Sequence, residues 1–224
     1  MQQPQTIPEL PTLDAEMYRL NTDQNTQSIL ASLVVDHALL NEGAVYWIDS
    51  LDYAATDPIT AVAPSTRILD RIHVARGFTP YQHFSIAETL LCQVESDPPS
   101  LIVAPAIDGL YREVTAGIDA AELLAQAVAR LAAIRRRYNC PVLLTVARDD
   151  AVSHPVVSAV TAELNCEHTV NGPRFVGDEF ETLVYPIGHG LVQTTIAYWQ
   201  SVIDARQPLY AVDGELSPER RATA

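Results

Sequence analysis

Arginine is the only basic residue type with a permanent charge in this chain, and its placement suggests where chemistry could lie. Arg130, Arg135, Arg136 and Arg137 crowd the end of a stretch dense in Ala and Leu. At a helix C-terminus they would complement the exposed carbonyls. The other reading is a contact with an acidic partner or nucleic acid. Arg76 opens a second cluster, Arg76-Gly77-Phe78-Thr79-Pro80-Tyr81-Gln82-His83-Phe84. It joins a cation, aromatic rings and an imidazole at the end of a predicted strand, where parallel sheets hold ligands. It reads either as a binding crevice or as a packed loop. Arg148-Asp149-Asp150 follows another predicted strand. His83 and His154 could serve as bases and Ser153 as a nucleophile, but no nucleophile elbow surrounds them. Gly172-Pro173-Arg174-Phe175 reads as a loop, and His189, between two glycines, as a turn residue. Cys92, Cys140 and Cys166 form no CxxC pair and read as small core residues. Nothing calls for a metal or cofactor.

The elements that must hold these residues alternate along the chain. Residues 1–25 are rich in Gln, Pro, Thr and Asn and read as an irregular lead-in. Ile29, Leu33, His37 and Leu40 recur at three and four, predicting a helix over 26–41 with one apolar face. Residues 44–49 (AVYWID) are a buried strand. A short helix near 64–70, a strand near 71–76 and a helix over 81–95 follow. Buried strands are expected at 100–105 and 141–147, with a long helix between them over 119–138. Asp119 and Glu122 are placed to cap that helix. After residue 150 the pattern changes. A short helix near 155–164 precedes strands at 181–186 and 191–197 around Gly188-His189-Gly190, a hairpin. Tyr198 and Trp199, in the amphipathic piece that follows, belong to the core or to an interface. The expected fold is α/β, a mostly parallel sheet flanked by helices with a C-terminal antiparallel hairpin. One domain spans 26–207, and 208–224 is a polar tail.

Composition narrows the function classes. The chain has 224 residues, no lysine, 28 acidic residues and a net charge of −14. Such a surface resembles those of extreme halophiles, haloarchaea above all, where molar salt screens repulsion to within about 3 Å. The charge argues against broad, non-specific DNA binding. No apolar run reaches 18 residues, so no membrane span is expected. The start has neither a basic nor an apolar leader region, so a cytoplasmic location is expected.

Four segments in order carry a resemblance: LLNEGAVYWID (39–49), RILDRIHVARGFTPYQHFS (67–85), LIVAPAIDGLYRE (101–113) and RRRYNCPVLLTV (135–146). They resemble the RecA/RadA recombinase core, with its "YID" strand, its "ARAF" strand, its Walker B strand of the type "LIVDSATALYR", and a long helix leading to "VVITNQ". The resemblance implies a RecA-like sheet, and a nucleotide site whose parts can be looked up one by one. The phosphate-binding loop, GxxxxGK[ST], cradles phosphates with backbone N–H groups and a lysine. Its place, residues 20–27, has no glycine, and Asn25 stands where the lysine belongs. The Walker B carboxylate falls at Pro105, the catalytic glutamate at Leu51 with Asp52 displaced by one, and the polar sensor near Ala147. All four positions have lost their chemistry. The expectation is a non-enzyme: a binding or regulatory partner in DNA recombination or repair, without cofactor. Its partner would be a protein, or further copies of itself; nucleic acid is the weaker expectation. The candidate contacts are Arg76, Arg130, Arg135, Arg136 and Arg137. The alternative is a nucleotide- or small-ligand-binding protein that uses the sheet crevice without a P-loop.

Overall fold

The computed structural model describes residues 7–22, 26–51, 56–113, 120–169, 172–177, 180–184 and 196–214. One sheet of eight strands runs through it. The strands are β1 (Met17–Thr22), β2 (Ala44–Asp49), β3 (Ile72–Arg76), β4 (Pro99–Ala104), β5 (Val142–Leu144), β6 (Ala162–Thr169), β7 (Gly172–Val176) and β8 (Glu181–Leu183). Their order is β3-β2-β4-β5-β1-β6-β7-β8. The first six in that order are parallel, and β6-β7-β8 is antiparallel. The expected α/β class, with a mostly parallel sheet, flanking helices and an antiparallel C-terminal part, is the fold observed.

Parallel strands need long crossovers, and helices supply them. On one face lie α1 (Thr26–Leu40), α2 (Thr56–Val62), α3 (Thr66–Leu69) and α7 (Ile196–Gly214). Their core joins Ile29, Val34, Ile59 and Trp199 to Trp47, Val103, Leu143 and Phe175 of the sheet. On the other lie α4 (Pro80–Ser96), α5 (Ala120–Tyr138) and α6 (His154–Ala159), whose Leu90, Leu124, Leu131 and Val156 meet Tyr46, Ile48, Ile102 and Leu144. With helices on both faces, β2 and β4 are mostly apolar, and the charged end of β2, Asp49, is held by Arg76. Every residue of β2 is buried.

Several elements differ from expectation. The lead-in contains β1, in the middle of the sheet. Tyr18 and Leu20 turn toward the α1 face. On the other face the polar positions pair with β6: Arg19 with Glu163, and Asn21 with Asn165. The helix expected over 155–164 stops at Ala159, because Thr161 donates its N–H to Met17 O and draws the chain into β6. Residues 172–175, expected as a loop, belong to β7. The expected strand over 191–197 ends in α7, which takes Ile196 and Ala197; residues 191–195 and the 188–190 turn lie outside the described residues. That helix runs beyond residue 208, so the polar tail begins later. α1 is buried on every side, since α2 and α7 cover its outer surface. Its buried polar groups are satisfied: Asp36 by Arg206 and Tyr210, His37 by Ser100 O, and Ser32 by Ser28 O.

Candidate functional site

Among the described residues, two places with the shape of a site lie where strands end or stop pairing. The first is at the C-terminal ends of β1 and β5. β1 hands over to α1 on one face, β5 to α6 on the other, and a crevice opens at such a switch point. Asn21, Thr22, Thr26, Thr145 and Val146 line a cavity of about 160 Å³ there. This is the strand–loop–helix position of a phosphate loop, although Asn25 itself lies outside the described residues, as does Asp52. Pro105 directly follows β4 and Ala147 follows β5. Leu51 adopts φ +58° and lies over Gly109, where an added Cβ would come within 2.5 Å of its side chain.

Buried carboxylates near this edge are already engaged. Asp108, three residues after Pro105, is fully buried. Its Oδ1 accepts Ala147 N–H at 2.6 Å and its Oδ2 accepts Arg112 Nε at 2.6 Å. Arg112 also holds Asp150 at 2.7 Å and the carbonyl of Arg148. That contact pushes the Asp150 carboxyl down to about 2. Asp149 pairs with Arg19 at 2.9 Å. The Arg148-Asp149-Asp150 segment is therefore pinned to the sheet edge. Asp49 is buried and accepts Arg76 Nε at 2.7 Å. Among the described residues, no three His, Cys, Asp or Glu side chains gather closely enough to hold a metal ion.

The second place is the β3 edge. β3 ends the sheet, and only β2 pairs with it among the described strands. In the parallel register, Val45 N bonds Arg71 O and Gly77 N bonds Asp49 O. The residues between alternate, so Ile72 and Val74 turn their backbone N–H and C=O groups away from β2 to the open side. Beside them, β2, β3 and α4 enclose a groove of about 420 Å³ lined by Tyr46, His73, Ala75, Ile86, Thr89 and Leu90. Ala75 leaves room because its side chain is small. The wall is held close because Gly77 lets α4 approach: a Cβ there would lie 2.9 Å from His83 backbone atoms. Thr79 caps α4 by accepting Gln82 N–H at 3.2 Å, with Pro80 in the first turn.

Exposure singles this corner out. Five large apolar side chains are exposed among the described residues, and three lie on β3 or directly after it: Phe78 (71%), Tyr81 (54%) and Val74 (44%). Scattered apolar residues are ordinary, whereas these three sit together in sequence and structure beside an open strand edge.

Most of the other sequence-predicted residues have partners within the chain. Arg130 pairs with Glu88 at 2.7 Å and stacks 4.4 Å above Phe84, tying α5 to α4. Arg135 holds Glu16 and Ala15 O, and Arg137 holds Glu95. Arg136 is exposed at the helix end. His83 is buried and shares a 2.9 Å hydrogen bond between Nδ1 and Tyr111 OH; burial pushes it down to about 4. Ser153 is buried and bonds within its own turn to Asp150. His154 lies 3.4 Å from Ser158. No hydrogen bond joins these three to one another among the described residues. Cys140 and Cys166 are core residues as expected, whereas Cys92 is exposed on α4. Tyr198 donates to Val184 O and Trp199 is fully buried, so both serve the core. Arg174 bridges Glu167 and Glu181 across the antiparallel strands. His189 and Asp119 lie outside the described residues. Val74 and the groove were missed in the sequence, whose one hint was an unusually polar strand, IHVAR, with Phe78 two residues beyond its end.

No known family matches this sequence, and neither does any curated protein.

Proposed function

We propose that this chain is a non-catalytic, RecA/RadA-like binding protein whose working surface is the β3 edge. An extended segment of a protein partner adds to β3 through the outward backbone groups of Ile72 and Val74, and sets one apolar side chain into the groove under α4. The observation that carries this reading is the exposure of Val74, Phe78 and Tyr81 on and just after an open strand edge that also borders a groove. Backbone pairing would supply affinity, and the groove specificity.

The RecA/RadA component rests on the four sequence segments. It is supported by their arrangement: their strands are β2, β3, β4 and β5, preceded by the strand–loop–helix unit β1–α1. The absence of hydrolysis is supported by the residues at the four expected catalytic positions, and by the internal partners of Asp49 and Asp108. The process, DNA recombination or repair, comes with the resemblance alone. A second copy of this chain is the other protein that could occupy the edge.

Selection of extended peptides from a display library against the purified protein tests the proposal. The expected ligands carry a large apolar residue, and they lose tenfold or more in affinity, about 1.4 kcal/mol, against Ala75→Trp, which fills the groove. The melting curve of the variant checks that it folds. Ligands that bind the variant as well as the parent would overturn the reading.

A second reading has its own observation, the crevice of Asn21, Thr22, Thr26 and Thr145. It makes the chain a small-ligand or nucleotide binder without a P-loop. It predicts stabilisation of about 2.7 kcal/mol at a hundredfold excess of ligand over Kd. Unchanged melting across a panel of nucleotides in molar KCl would remove it.

A further inference from the structure

No further inference is drawn: the strongest candidate outside the two cavities already described, the buried His83–Tyr111 pair at the start of α4 with its unpartnered Nε2, lines neither cavity, and nothing in the structure shows a ligand for it.

Discussion

Arg206 and Asp36 form a buried ion pair, 6% and 4% exposed, that fastens α7 to α1. Arg206 also donates to Pro8 O, so the same guanidinium ties down the N-terminal segment. Removing one partner leaves a charge buried without its counter-ion, and Arg206→Met should cost about 3–5 kcal/mol of stability by urea unfolding. The double variant Asp36→Leu/Arg206→Met should recover part of that loss. His83 makes a pH prediction. Its folded pKa, about 4, lies below the ordinary 6.5. Between these values the unfolded chain takes up a proton that the folded chain refuses, so stability falls as pH drops from about 6.5 to 4. His37 is shifted in the same direction by burial. In His83→Gln the fall over this window should be shallower, as measured by denaturant midpoints at each pH. Such roles are hard to read in a sequence: His83 in a mixed polar and aromatic run could have faced a ligand, and only its burial and the Tyr111 contact decide otherwise.

At the scale of elements, continuous apolar runs made β2 and β4 legible, and the 3.6-residue period made α1, α4 and α5 legible. β1 was hidden because half of its side chains are polar, and only its partners on β6 make Arg19 and Asn21 suitable for a central strand. β6 and β7 were hidden for the same reason, with Glu167 and Arg174 facing each other across the ladder. α1 was legible as a helix, but its full burial depends on α7, 170 residues downstream in the Asp36–Arg206 pair. The crevice was readable as a place without its chemistry. The β3 edge was not, because exposure of Val74 and Phe78 is a property of what fails to cover them. Val74→Pro makes the edge testable. The lost N–H points away from β2, so the fold should survive, while peptide affinity should fall with the missing backbone bond. Equal peptide affinity in this variant would exclude strand addition.

The whole molecule carries fourteen uncompensated negative charges at neutral pH. Arginine–carboxylate pairs such as Arg137–Glu95 are exposed and weaken as salt rises. Self-repulsion, spread over the surface, also weakens, and with this imbalance it is the larger effect. The urea midpoint should therefore rise between 0.1 and 2 M KCl, as the screening length falls from about 10 Å to about 2–3 Å; a falling midpoint would show that local pairs dominate. The same charge makes a groove lined without Asp or Glu a distinctive place for a partner to approach. The most direct measurement is amide hydrogen exchange of the protein with and without a selected peptide. The account predicts new protection at the N–H groups of Ile72 and Val74 and along the groove wall of α4. Protection confined to the β1–α1 crevice or to β8, with β3 unchanged, would contradict it.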